Sequence, residues 1–186
     1  MSNTPLYSLN LQLLSDNQNL YFEKINKLNS KKDSGFDLFV PESVVIPAGQ
    51  ILLINMKVKC SISKKVWDNE FQRWKLGVPS PYYLYARSSV SKRGIMLVNS
   101  VGIIDSGYRG PLMAAFYNTT DNDVVIPEGD RIVQICMPDL SYDFGVSVVD
   151  SLDETERGEG GLGSTEHSII KKLSYIFITF ITEINI

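Results

Sequence analysis

The sequence predicts an all-β sandwich or barrel, and three observations carry that reading. Apolar and polar residues alternate in short runs, turn residues recur about every ten positions, and sustained helical periodicity is scarce. The 186 residues, 44% hydrophobic and 21% charged, suit one soluble globular domain with a core plus tails. There is no internal repeat and no sign of a second domain.

Residues 1–19 are polar with scattered leucines and lack the basic start and apolar block of a secretory signal. A β domain is expected over 20–150. Its first strand is placed at 21–27, and the next at 36–40, stopped by Pro41. A strand at 44–46 runs into the turn Pro47-Ala48-Gly49, and 51–62, rich in Ile, Leu and Val, reads as one long strand. Residues 64–78, KKVWDNEFQRWKLGV, break the rhythm and read as a surface insertion or a short helix. The run 79–86 holds Tyr82, Tyr83 and Tyr85, and 88–92 is at most one helical turn. Strands at 113–118, 124–126 and 131–137 follow, the last two separated by Pro127-Glu128-Gly129-Asp130, and 144–149 closes the series. Residues 151–167 shift to charge and glycine and are expected to be mobile until something orders them. Residues 168–186 end in LSYIFITFITEINI, too short and too charged at Glu183 to span a bilayer as a helix. A tail strand or an apolar extension fits them better than a membrane anchor.

The composition excludes several chemistries. The net charge of -3 offers no broad basic field for nucleic acid, so an anion must be held by a few arginines or backbone amides. Cys60 and Cys136 sit far apart in apolar runs, as buried thiols of a reducing compartment do, so a cytoplasmic chain is expected, with a nuclear or organellar one as the alternative and a secreted one disfavoured. No CxxC or HxxxH pair exists for structural zinc. The lone histidine, His167, lies in the glycine-rich tail, a poor place for a serine–histidine or cysteine–histidine pair. An enzyme with these residues would work with carboxylates and a hard metal ion.

Four stretches could carry such chemistry, and each has a plain alternative. Between Gly102 and Gly110 an aspartate, Asp105, leaves an apolar strand before a glycine turn and Tyr108; in a hairpin this places a carboxylate and a ring at one pocket mouth. A carboxylate there can act as a general base on water, or be a simple turn residue. Arg87-Ser88-Ser89 suits an anionic oxygen cluster, or a solvated strand end. The polar set from Gly129 to Gln134 could be only a hairpin turn. Residues 157–165, with Arg157, several glycines, Ser164 and Thr165, could wrap a terminal phosphate with backbone amides, or serve as a linker; they are no Walker A loop, because no lysine precedes the hydroxyls.

In this order, and together with Ser34-Gly35-Phe36-Asp37-Leu38, these stretches resemble the five motifs of the trimeric deoxyuridine triphosphatase (dUTPase) family, over roughly residues 20–166. The resemblance implies a distorted β jelly roll, a homotrimer and a flexible glycine-rich lid that crosses to a neighbouring subunit. It implies hydrolysis of dUTP to dUMP and pyrophosphate, which limits uracil in DNA and supplies dUMP for thymidylate synthesis. Asp105 then corresponds to the base that activates water, and Tyr108 to the ring that packs on the deoxyribose. Asn99, Gly102, Ile103 and Ile104 would read the uracil edge, with Met113 close by. Arg87, Ser88, Ser89 and Gln134 would bind phosphates; Arg157, Ser164 and Thr165, in the closing tail, would hold the γ-phosphate, and Gly163 beside them would also bind substrate. Magnesium is implied mainly on the substrate phosphates, with Asp37 reaching it through water. Leu162 stands where the family usually has a phenylalanine, so the lid lacks a π face over the base. The 64–78 insertion and the apolar end are also outside the family pattern. A dCTP deaminase of related fold, or a non-catalytic nucleotide-binding β module, is the rival reading; the run from Ile104 to Gly110 favours the triphosphatase.

Overall fold

The computed structural model describes residues 5–16, 18–28 and 32–160. In chain order its elements are β1 (Tyr7–Leu13), α1 (Gln18–Leu28), β2 (Gly35–Phe39), β3 (Val44–Ile46), β4 (Ile51–Asn55), β5 (Val58–Asp68), β6 (Arg73–Pro79) and β7 (Tyr82–Ala86). A 3-10 turn (Ser88–Arg93) is followed by β8 (Ile95–Leu97), β9 (Val101–Ile104), β10 (Met113–Asn118), β11 (Val124–Ile126), β12 (Arg131–Cys136) and β13 (Phe144–Val148). The chain is nearly all β, as its alternation predicts. Among the described residues four sheets form, in the orders β13-β1-β5-β6, β4-β10-β8, β11-β3 and β2-β12-β7-β9. Their inner faces share one core containing Leu9, Leu11, Phe36, Leu38, Phe116 and Ile135.

Several expectations are corrected. The polar N-terminal segment contains β1, whose Tyr7, Leu9 and Leu11 alternate inward. The strand expected at 21–27 is instead part of α1. Tyr21 is buried and Lys24 and Ile25 lie half-buried on the same side, a helical spacing. The Tyr21 ring stands edge-on to Phe39, with centroids 5.0 Å apart, and its hydroxyl accepts the Phe39 N–H at 3.1 Å. Burying such a ring contributes about 2 to 3 kcal/mol, enough to override local strand preference.

The long strand at 51–62 is two strands. Leu112 enters between them: Met56 N–H donates to the Leu112 carbonyl, and Leu112 N–H donates to the Val58 carbonyl. Lys57 takes a left-handed φ of 51° there, and its N–H is accepted by Asn55 Oδ1. Of the two readings of 64–78, a surface insertion or a short helix, the helix is not formed. The segment is the outer part of the β5–β6 hairpin, with Trp67 opposite Trp74, ring centroids 5.5 Å apart. Asp68 turns the corner by accepting the Glu70 and Phe71 N–H groups. The tyrosine-rich strand starts at Tyr82, because Pro79 ends β6.

Both cysteines are free and buried, as expected. Burial pushes the Cys60 thiol up to about 12 and the Cys136 thiol up to about 11. Neither is a nucleophile at neutral pH. Among the described residues no helix is long and apolar enough to cross a membrane.

Candidate active site

Two polar clusters contain the motif residues, and the β7–β9 ladder separates them. The first gathers on β2 and β12. Asp37 lies opposite Gln134 in the β2–β12 ladder, and Gln134 lies opposite Tyr85 of β7. Arg87 follows directly on β7 and extends the ladder by donating its N–H to the Ile132 carbonyl at 2.9 Å. Its side chain turns to Asp37, with Nε 2.9 Å from Oδ1. Arg131 and Lys24 meet the other oxygen at 3.2 and 3.0 Å. The carboxylate, 8% exposed, therefore organises three cations. Ser88 and Ser89, both exposed, open the 3-10 turn that buried Val90 holds down. Gly35 lets the Gln134 side chain lie over it: a Cβ there would come 1.9 Å from Gln134 Oε1 and displace that amide.

The second cluster is the corner at 105–110. The expected hairpin is not formed. β9 is the edge of the β2-β12-β7-β9 sheet, whereas β10 is the middle strand of another. The glycines and Pro111 turn the chain out of one sheet and into the other. Tyr108 N–H closes the turn on the Asp105 carbonyl, and the Tyr108 hydroxyl donates to the Pro111 carbonyl at 2.9 Å. The ring covers Gly110, where a Cβ would meet Tyr108 Oη at 2.4 Å. Burial, then the Glu159 charge, raises the Tyr108 hydroxyl above its ordinary value, so it stays protonated and donating.

Asp105 projects from the end of β9 into solvent, and Arg157 Nη1 stands 2.7 Å from its Oδ2. Residues 151–160 pack against this corner. Buried Arg109 fastens them, with Nε and Nη2 on the two Asp153 oxygens at 3.2 and 3.1 Å and Nη1 on the Ser106 and Tyr108 carbonyls. Thr155 Oγ1 donates to the Gly107 carbonyl, and Arg109 N–H donates to the Gly158 carbonyl. Behind this strap lies a cavity of about 340 Å³, lined by Gln12, Lys59, Arg109, Leu152 and Thr155 among others. It does not include Asp105.

Gly102 sits between these clusters on β9. A Cβ there would press on Leu84 Cβ at 3.1 Å, and Asn99 Nδ2 is 3.9 Å away. β9 pairs on one side with β7 alone among the described residues, so backbone groups of Gly102, Ile103 and Ile104 on its outer edge can meet a ligand. Ile103 is 71% exposed. Met113 begins β10, opposite Asn55 of β4. Leu162, Gly163, Ser164, Thr165 and His167, with the apolar tail, lie outside the described residues.

The dUTPase family model matches residues 77–166, a span from β6 through Arg157 and the residues beyond it. The deoxyuridine 5'-triphosphate nucleotidohydrolase of Paramecium bursaria Chlorella virus 1 is 36% identical over 137 residues, covering 73% of this chain and 85% of that protein. The chain belongs to the dUTPase family. The Clostridioides difficile protein of the same name is 31% identical over 155 residues, 78% of this chain and 99% of its own length. The Pol polyprotein of an ovine maedi visna related virus is 31% identical over 134 residues, and there the dUTPase-like chain spans only 11% of the relative.

Against the dUTPase motifs, the structure brings Asp37, Arg87 and Gln134 together, and separately Asp105, Tyr108 and Arg157. It does not bring the two groups to one point within the chain. Sequence reasoning missed Lys24, Arg131, Arg109, Asp153 and Thr155. Arg109 and Arg131 lie inside quoted motifs, and a cation in an apolar setting is a signal for a buried pair. Lys24 carries none, because the residues around it, from Tyr21 on, have the composition of a strand although they form α1.

Proposed function

We propose that this chain hydrolyses dUTP to dUMP and pyrophosphate. The observation that supports this most is Asp105 at the mouth of an edge strand, beside Tyr108 and facing Arg157. Asp105 Oδ1 accepts a proton from water as the water attacks the α-phosphorus in line; the P–O bond to pyrophosphate breaks as the new one forms. The pair with Arg157 uses Oδ2, which leaves Oδ1 for water. The outer edge of β9 hydrogen-bonds uracil, Asn99 completes that reading, and thymine's methyl group would collide with the strand.

Among the described residues no group of three or more His, Cys, Asp or Glu could hold a metal. Asp37 is engaged by Lys24, Arg87 and Arg131. These residues do not form a resident magnesium site, and magnesium belongs to the substrate, as its triphosphate complex.

The proposed assembly is the jelly-roll homotrimer with a C-terminal lid. Two features support it. Asp105 follows Ile104, which pairs with Tyr82, while Arg87 lies beyond the other end of β7, about 20 Å away along the ladder. The β4-β10-β8 sheet also turns one apolar face outward: Ile51 and Tyr117 pair on it, Leu53 pairs with Ala115, and Met96 flanks Tyr117. Ile51, Leu53 and Met96 are each about half exposed, an area suited to association.

Pyrophosphate release measured across dUTP, dCTP, dTTP and UTP, with and without magnesium, tests the activity; only dUTP with magnesium should be turned over rapidly. Ammonia release from dCTP instead would replace the reading with the deaminase. The Tyr108 ring excludes a 2′-hydroxyl only where Gly110 lets it lie. Gly110→Ala is expected to lower the preference for dUTP over UTP, as the ratio of kcat/KM values, by roughly tenfold or more. An unchanged ratio would remove Tyr108 from sugar selection.

A further inference from the structure

Three cations converge on one carboxylate beside β2. Lys24 Nζ is 3.0 Å and Arg131 Nη1 3.2 Å from the same oxygen, Asp37 Oδ2, and Arg87 Nε is 2.9 Å from Oδ1. The two nitrogens that share Oδ2 lie within about 6 Å of each other, where like charges repel. One carboxylate leaves two positive charges in excess. Fastening α1 to the sheet needs a single cation; three around one carboxylate is the arrangement of a site awaiting a second, multiply charged anion.

Lys24 is also held in place. Its side chain is 18% exposed, and its ammonium lies 5.4 Å from the centroid of the Phe36 ring. Burial of Tyr21 one turn earlier fixes the helix that carries it. An ammonium has three donors, and Asp37 takes one of them.

We infer that Lys24, delivered by α1, is a binding residue for the nucleotide's phosphates, joining Arg87 around the triphosphate. The inference rests on the dUTP reading and adds to it a residue from outside the five motifs. Asp37 holds the three cations in register while the site is free and shares them with the phosphate oxygens when nucleotide binds. Lys24 touches only phosphate, so its contribution grows with phosphate number and is absent for the nucleoside.

The test is a calorimetric affinity series with deoxyuridine, dUMP, dUDP and the non-hydrolysable α,β-imido analogue of dUTP, on the full chain. Wild type, Lys24→Met, Lys24→Gln and Lys24→Arg are compared, each with its thermal midpoint. Wild type should bind more tightly with each added phosphate. Lys24→Met and Lys24→Gln should bind the triphosphate analogue roughly tenfold more weakly and deoxyuridine as wild type does. Lys24→Arg should restore most of the loss. If the neutral variants keep the wild-type ratio of analogue to deoxyuridine affinity, Lys24 only fastens α1 and the inference is overturned, whatever happens to the midpoint. If wild type itself gains nothing from added phosphates, the dUTP reading fails along with it.

Discussion

Asp105→Asn is expected to lower kcat for dUTP by roughly 10²- to 10⁴-fold, the range that general-base catalysis contributes. The amide matches the carboxylate in size but cannot take a proton from water. Its removal should leave nucleotide binding nearly untouched. Asp105 is exposed at the end of β9, and in its ion pair with Arg157 both side chains are about half exposed. Such a pair contributes little to stability or to holding the strap. The strap is instead fixed by the two-point contact of buried Arg109 with Asp153 and by the Thr155 hydroxyl. A Kd for the imido analogue within about threefold of wild type is therefore predicted, together with an unchanged thermal midpoint. Pyrophosphate release in single turnover separates the chemical step from product release. A variant that turns over at the normal rate would take the base role away from Asp105.

The parts of this fold that were legible in the sequence are those whose boundaries are local. β3, β10 and β11 begin and end where expected, because each is a short apolar run; β3 meets Pro47 and β11 meets Pro127, and neither ring can continue a ladder. What the chain hid depends on partners far away in sequence. Tyr21 and Phe22 look like strand residues, and only the cage of Phe36 and Phe39 makes Tyr21 a helix anchor. The break at Lys57 exists because Leu112 occupies the gap, a residue more than fifty positions on. The site divides in the same way. Asp105 and Tyr108 share one turn and could be read directly. The clasp of Arg109 on Asp153 and the arrival of Lys24 at Asp37 need the assembled sheets. The corner at 105–110 has the residues of a hairpin because glycine turns look alike in sequence, whether the next strand returns to the same sheet or enters another.

Mixing two dead variants should produce a live enzyme. Asp105→Asn retains Arg87, and Arg87→Ala retains Asp105. Within one chain these residues lie at opposite ends of the β7–β9 ladder, about 20 Å apart. The reaction does not tolerate that spacing: the attacking water must stand about 3 to 3.5 Å from the α-phosphorus, while Arg87 must reach oxygens of the same triphosphate. In the proposed trimer, Asp105 of one copy and Arg87 of another flank each nucleotide. Each variant alone supplies only one of the two to every site. In a trimer reassembled from equal amounts of both, about a quarter of the sites pair an intact Asp105 with an intact Arg87, and that fraction of wild-type activity should return. The exposed apolar face gives a control. Leu53→Lys places a charge at the centre of the Ile51, Leu53, Ala115 and Tyr117 patch, which β10 aligns on one side of its sheet. It leaves the opposite face, with Ile54, Ala114 and Phe116 in the core, intact. This substitution should yield a folded chain of monomer mass by light scattering and abolish the recovery. Mixtures that stay inactive although both parents are trimeric would mean that each site draws Asp105 and Arg87 from one chain, and the spacing along β7 and β9 would then have to change on binding.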